Sequence, residues 1–122
     1  MSGVEDKRSE DVVKYSKELA MRGYVVVSVD YRLAARPWYR NVRKATFDAQ
    51  EDLRAAIRFL RKNAAEYRID TDRIIASGDS AGAITSMFVS YVKEAQYEGN
   101  SGNPGFSSHT NGVISISGEI KE

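Results

Sequence analysis

The sequence of 122 residues contains no cysteine, two prolines and a single histidine. The lack of cysteine excludes disulfides, thiolate catalysis and thiolate metal sites. Eighteen basic and seventeen acidic side chains leave a net charge of +1, which argues against binding to nucleic acid or a membrane surface through bulk electrostatics. We therefore expect no nucleic-acid partner, no membrane partner and no cofactor.

Long apolar runs are also missing. No segment approaches the ~20 apolar residues that a membrane-spanning helix needs, and residues 1–8 do not resemble a signal peptide. The cytoplasm is therefore the default compartment. A length of 122 residues with a hydrophobic fraction of 42% suits one folded domain over residues 1–122.

The chain instead shows an alternation of strand-like and helical patterns. Residues 24–32, YVVVSVDYR, are rich in β-branched side chains and nearly continuous in their apolar character, as is typical of a strand buried on both faces. Leu53, Ala56, Ile57 and Leu60 recur at helical spacing. The predicted elements are helices at Ser9–Met21, Thr46–Tyr67 and Ala81–Ala95, and strands at 24–32, 73–78 and 112–118.

Two connections are polar. Gln96–Asn111 is crowded with Gly, Ser, Asn and Pro, and we interpret it as a surface excursion, although loops of this length are often functional. The connection at 33–44 carries a basic and aromatic cluster. The first interpretation is a solvated connection in which Trp38 packs on the core or on an interface, and the second is a patch that binds nucleic acid or an acidic ligand. The cluster consists of Arg32, Arg36, Trp38, Tyr39, Arg40, Arg43 and Lys44.

The order strand, helix, strand, helix, strand predicts an α/β fold in which a short parallel sheet lies between helices, a three-layer α/β/α arrangement. Ligands in such folds bind at the carboxyl ends of the strands. Asp30, Ser80 and Glu119 all lie at or just beyond predicted strand ends. The sequence therefore places these three residues at one candidate site.

Ser80 lies in the segment Gly78-Asp79-Ser80-Ala81-Gly82, which fits the pattern G-x-S-x-G between a predicted strand and a predicted helix. We expect a sharp turn that lifts the hydroxyl above the sheet, with glycines at both ends because larger side chains would collide there. The following helix would direct its free N–H groups at a developing oxyanion, with Ala81 N–H as the natural donor. A serine that merely caps the helix is the alternative.

With VVVSVDYRLA upstream and DAQEDLRAAIRFLRKNAAEYRIDTDRIIASGDSAG at 48–82, the chain resembles the α/β-hydrolase fold, specifically carboxylesterases similar to hormone-sensitive lipase. The resemblance runs from Val12 to Ser117 and implies the central part of that fold, truncated. It implies Ser80 as acyl-accepting nucleophile and Ala81 N–H as an oxyanion donor. Ala35-Arg36 departs from the Pro-Glu that usually follows the D-Y-R-L-A segment.

The resemblance also implies parts that these residues do not supply. The family's His-Gly-Gly-Gly oxyanion loop would precede residue 1, its triad acid and histidine would follow Glu122, and its third strand is missing. His109 precedes a strand, so we expect it at the opposite edge of the sheet from Ser80, roughly 20 Å away. A histidine from a second copy of the chain could still reach Ser80 across a subunit interface. Asp30 and Glu119 are better placed, but carboxylates are weak bases for a serine hydroxyl.

We therefore predict a carboxylic ester hydrolase that acts on a small-molecule ester through an acyl-enzyme at Ser80, with weak or incomplete turnover. The alternative is a non-catalytic binding or assembly module that keeps the serine turn as architecture. Unpaired parallel-strand edges further predict a homo-oligomer.

Overall fold

The computed structural model describes residues 8–33 and 41–118. The chain divides into two compact units, Met1–Asp30 and Tyr31–Glu122. In the described ranges no helix is long and apolar enough to cross a membrane. The predictions for Trp38 and for Glu119 lie outside the described residues.

The first unit contains helix α1, Glu10–Ala20, which confirms the helix predicted at Ser9–Met21. Glu10 and Asp11 lie in the first turn, where carboxylates interact favourably with the positive end of the helix dipole. Ser9 occupies the N-cap position without a side-chain capping bond, and Gly23, with φ of +90°, follows the helix. No residue of α1 is buried.

The strand predicted at 24–32 is wrong. These residues have neither helical nor strand structure, and Tyr24, Val25 and Val27 are exposed. β-Branched residues favour a strand only when a neighbouring strand accepts their backbone hydrogen bonds and their side chains pack across the pair. Within the described ranges, the only ladder joins two strands that come later in the chain.

The second unit contains all the strands that the structure describes. Its elements are α2 (Val42–Lys62), α3 (Ala64–Tyr67), β1 (Ile75–Asp79), α4 (Ala81–Tyr91), a 3₁₀ turn (Ala95–Tyr97) and β2 (Gly112–Ile116). The helix predicted at Thr46–Tyr67 therefore begins four residues earlier and is interrupted at Asn63. The helix predicted at Ala81–Ala95 ends at Tyr91, because Val92 adopts an extended conformation.

Strands β1 and β2 pair in parallel, with Ile75 opposite Gly112 and Asp79 opposite Ile116. This confirms the predicted parallel pairing, with α4 as the connection that packs on both strands. The described sheet has two strands rather than the predicted three. Ile75, Ile114 and Ile116 on its outer face are exposed, so the described residues do not show the predicted three layers.

The hydrophobic core of this unit is small. Ile57 of α2, Ile74 before β1 and Val89 of α4 are buried together, with Leu53 and Ile69 packed against them. The cluster therefore packs α2 against the C-terminal half of α4, beside the residue that leads into β1.

Two of the six buried residues of α2 are arginines, Arg54 and Arg58. Arg54 is 2% exposed and donates hydrogen bonds to the carbonyl of Val92, to Ser108 Oγ and to the carboxylate of Glu98. Burial lowers the pKa of Arg54, although Glu98 opposes the shift. A guanidinium remains charged under such a shift, so its buried N–H groups require the acceptors that the loop supplies.

Arg58 and Arg61 extend this arrangement along α2. Arg58, 4% exposed, donates to the carbonyls of Glu98 and Gly102 and pairs with the Glu98 carboxylate at 2.8 Å. Arg61 donates to the carbonyl of Ser107. The residues predicted to form a plain surface excursion at 96–111 are therefore tied to α2 by a row of arginines.

Arg32 anchors the start of the second unit to α2. Its backbone N–H and its guanidinium both donate to the Asp52 carboxylate, and its guanidinium also contacts Glu51 and Ser101. Hydrogen bonds to Asp52 and Glu51 raise the pKa of Arg32. Burial raises the pKa of Asp52, but the hydrogen bonds from Arg32 outweigh it and hold that pKa below its ordinary value.

This ion pair predicts a pH dependence of stability. A carboxyl whose folded pKa is depressed stabilises the protein above its unfolded pKa of about 4, and that contribution is lost as the pH falls through the folded value. We expect Asp52→Asn to lower the urea midpoint at pH 7 and to show a smaller further loss between pH 5 and pH 2 than the wild type. Glu66→Gln, at an exposed position of α3, is the control and should follow the wild-type profile. Equal losses of stability between pH 5 and pH 2 in the wild type and in Asp52→Asn would contradict the assignment of this pH dependence to Asp52.

Candidate functional site

Ser80 occupies a backbone conformation that a residue with a side chain rarely adopts, with φ of 51° and ψ of −114°. It is the single residue between the end of β1 and the start of α4. Its N–H donates to the carbonyl of Ile116 at 2.9 Å, and its carbonyl accepts from Ile84 N–H at 3.2 Å. The strand ladder and the first turn of the helix therefore both hold this strained conformation in place.

The two glycines that flank the turn differ in their steric role. A Cβ on Gly78 would lie 2.3 Å from the backbone carbon and oxygen of Gly82 and 2.7 Å from Ala83 N, so no side chain fits there. A Cβ on Gly82 would have no heavy atom within 4 Å. The expected collision is therefore confirmed at Gly78 and wrong at Gly82, because the backbone of Gly82 lies against the strand whereas a side chain there would point into open space.

The turn presents the Ser80 side chain to solvent. In the part of the chain that the structure describes, Ser80 Oγ has no hydrogen-bond partner, and Ser80 makes no side-chain cap of α4. Ala81 is the first residue of α4, so its N–H has no acceptor within the helix. An oxyanion formed at Ser80 would lie beside the positive end of this helix. Asp79, the remaining residue of the turn, is exposed at the end of β1.

Of the other predicted site residues, His109 lies in the same unit as Ser80 but is not brought to it. His109 precedes β2 by three residues, whereas Ser80 is level with the far end of β2. The five residue steps from Gly112 to Ser117 alone span about 17 Å, so His109 of the same chain does not reach Ser80. Asp30 belongs to the first unit, and Glu119 lies outside the described residues.

Metal ligands are not grouped in the part of the chain that can be described. Across residues 8–33 and 41–118, no three His, Asp or Glu side chains are placed to hold one metal ion. The chemistry that the turn offers is therefore that of an exposed hydroxyl beside free backbone N–H groups.

A parallel strand pair crossed by α4, with a sharp turn between strand and helix, defines an α/β protein with its candidate site at the carboxyl ends of the strands. The family model described as BD-FAE matches residues 1–120, and the chain belongs to this family, which is associated with α/β-hydrolase esterase-like proteins. No curated protein and no solved structure matches the chain.

Sequence reasoning missed the residues that organise the loop after α4. The sequence alone indicates only that arginines favour a helix and its dipole. The structure places three of them, Arg54, Arg58 and Arg61, against the loop. The available signal was their spacing of four and three residues, which puts them along one face of α2. The guanidinium groups of these arginines are hydrogen-bond donors, and a loop rich in Ser, Gly and Asn offers them its backbone carbonyls as acceptors.

Proposed function

We propose that the protein hydrolyses carboxylic esters of small molecules through an acyl-enzyme at Ser80. In the first step Ser80 Oγ bonds to the ester carbonyl carbon, the carbonyl oxygen becomes an oxyanion, and the hydroxyl proton passes to a base. Collapse of this intermediate breaks the bond to the alcohol, which leaves with a proton. Water then attacks the acyl carbon, the bond from that carbon to Ser80 Oγ breaks, the carboxylic acid leaves and a proton restores the hydroxyl.

The observation that carries this proposal is the strained conformation of Ser80. Strain of this kind costs about 1–3 kcal/mol and persists where the surrounding structure enforces it. Here it produces an exposed hydroxyl that is free of intramolecular hydrogen bonds in the described structure, beside the unpaired N–H of Ala81. Membership of the esterase-like BD-FAE family supports the same chemistry, and the GDSAG and DYRLA segments favour its relation to carboxylesterases similar to hormone-sensitive lipase.

The described residues offer Ser80 no base within hydrogen-bond distance, so we propose that the 122-residue chain hydrolyses esters at a low rate. A serine hydroxyl without a base is a poor nucleophile at neutral pH. Serine hydrolases that lose triad members retain about 10³–10⁴-fold enhancement over water from oxyanion stabilisation and substrate binding. Esters with good leaving groups are therefore the substrates that should reveal activity.

Hydrolysis of p-nitrophenyl acetate tests this proposal. We expect the purified chain to release p-nitrophenol faster than buffer does, and Ser80→Ala to abolish the difference because it removes the proposed nucleophile. The rate is followed by absorbance at several protein concentrations, so that the slope per mole of protein is obtained.

Ser117→Ala is the matched control. Ser117 is also exposed, has φ of 54° and follows β2 at the same edge of the sheet, but the described residue after it, Gly118, is not helical. The rate should therefore be retained in Ser117→Ala. Equal rates in wild type and Ser80→Ala would contradict the proposal.

A non-catalytic binding or assembly role is the second candidate. It is favoured by the exposed outer face of the sheet, where Ile75, Ile114 and Ile116 are each more than 40% exposed. Apolar side chains on such a face favour association, and we propose a homo-oligomer on this basis. Light scattering should then give a mass above that of one chain, and a monomer at all concentrations would contradict it.

A further inference from the structure

A second concave surface of about 390 Å³ lies at the other end of the sheet from Ser80. It is formed where α4 ends and where the chain leads into β2, and its chemistry comes from Tyr91, Lys93 and His109. The register of the sheet separates it from Ser80 by the length of β2. The proposed ester hydrolysis makes no use of it.

The surface contains an unusual pair of nitrogen atoms. Lys93 Nζ lies 3.2 Å from His109 Nδ1. An ammonium group can only donate, so Nδ1 must accept, and the neutral ring then carries its proton on Nε2. This leaves two ammonium hydrogens and the Nε2–H as donors, and the pair contains no acceptor for them.

Among the described residues, no carboxylate balances the charge of this pair. Neither Asp nor Glu lines the surface, and Lys93 forms no ion pair with a described carboxylate. The carbonyl of Val92, just after α4, is already occupied by the guanidinium of Arg54. The positive charge of Lys93 therefore meets no opposite charge on the surface as it is described.

The floor and wall of the surface are rigidly held. Thr110 Oγ1 and Ser90 Oγ are buried and hydrogen-bonded at 2.9 Å. Asn111 is fixed to Ile74 through two bonds, from Asn111 N–H to the Ile74 carbonyl at 2.7 Å and from Ile74 N–H to Asn111 Oδ1 at 3.0 Å. A ligand would therefore meet donors whose supporting backbone is already ordered.

We propose that this surface binds a small oxyanion, a phosphate or carboxylate group, at the Lys93 ammonium, which the contact with His109 Nδ1 holds in place. The oxyanion accepts the two remaining ammonium hydrogens in charge-assisted hydrogen bonds, whereas the Nε2–H of His109 points away from Lys93. The negative end of the α4 dipole opposes an anion here, but it is a partial charge and Lys93 carries a full one. The proposal is independent of any activity of Ser80.

The single histidine makes the test direct, because the imidazole region of the NMR spectrum contains one residue. Inorganic phosphate and acetate are titrated separately into the chain at fixed pH and constant ionic strength, with chloride as the balancing anion. We expect saturable shifts of the His109 signals, with phosphate binding more tightly than acetate because it carries more charge. Phenyl phosphate, as a third titrant, distinguishes a phosphate monoester from the free ion.

Lys93→Gln should weaken phosphate binding about tenfold, since one charge-assisted contact is lost, and Lys93→Arg should restore it in part. Lys62→Gln, which removes an exposed charge at the end of α2, is the control and should bind as the wild type does. Melting temperatures without phosphate measure any separate effect of Lys93 on the end of α4. Shifts that stay linear in phosphate, or that saturate equally in Lys93→Gln, would overturn the proposal.

Discussion

Gly78→Ala is expected to destabilise the second unit by about 3 kcal/mol or more, or to prevent its folding. The added Cβ would lie 2.3 Å from two backbone atoms of Gly82 and 2.7 Å from Ala83 N. These atoms belong to the first turn of α4, so they cannot move aside as the end of a flexible side chain can. Urea unfolding followed by circular dichroism measures the loss.

Gly82→Ala is the control that lies only four residues away. An added methyl group there meets no atom within 4 Å, and alanine is favoured over glycine inside a helix by about 1 kcal/mol. We expect Gly82→Ala to be as stable as the wild type or slightly more stable. Similar losses of stability in Gly78→Ala and Gly82→Ala would contradict the close contact between β1 and α4 at this turn.

Arg54→Leu is expected to lower the free energy of unfolding by about 2–4 kcal/mol. The leucine keeps an apolar group at a buried position, but the Val92 carbonyl and Ser108 lose their buried donor and Glu98 loses one of its two arginine partners. The loop from 95 to 110 should lose hydrogen-exchange protection first, because Arg54 binds it to α2 together with Arg58, Arg61 and Asn103.

Arg73→Leu is the matched control for this prediction. The Arg73 side chain is 84% exposed and pairs only with Asp70, three residues earlier. Exposed pairs of this kind contribute between zero and about 1 kcal/mol, so Arg73→Leu should unfold within about 0.5 kcal/mol of the wild type. If Arg54→Leu were equally mild, the arginine row would be a surface feature and not the support of the loop.

Local patterns predicted the helices and one strand pair well. Glu10–Ala20 and Ala81–Tyr91 have apolar residues at helical spacing. The strand at 112–116 is rich in β-branched residues, and the strand at 75–79 begins within the pair Ile74-Ile75. Parallel pairing followed from the helix between them, because a right-handed crossover returns the chain in the same direction. The backbone conformation of Ser80 followed from its glycine neighbour at 78.

The segment 24–32 shows where such reasoning stops. Four of its residues are valine, which is a strong strand pattern, but a strand is completed by a partner whose identity lies elsewhere in the sequence. The arginines of α2 show a related gap. Their side chains point at carbonyl groups of residues 92, 98, 102 and 107, and backbone acceptors leave no mark on composition or hydrophobic periodicity.

The candidate site was predictable only in part, because the local sequence determines a turn but not the contacts between residues that are distant in the chain. Ser80, Ala81 and Gly78 are neighbours in sequence, so their arrangement depends on one local turn. His109, Asp30 and Glu119 could be related to Ser80 only through the sheet, and the register of β1 and β2 places His109 at the other end. Whether a residue reaches a distant serine depends on topology, which the identity of the residue does not encode.

Covalent labelling with a fluorophosphonate probe tests most directly whether Ser80 is a nucleophile. The chain is incubated with the probe, its intact mass is measured, and the adduct is located by peptide mapping. One adduct per chain on the peptide that contains Ser80, lost in Ser80→Ala and retained in Ser117→Ala, is the predicted result. No adduct on the folded wild-type chain, or an adduct on another residue, would contradict it and favour the binding or assembly role.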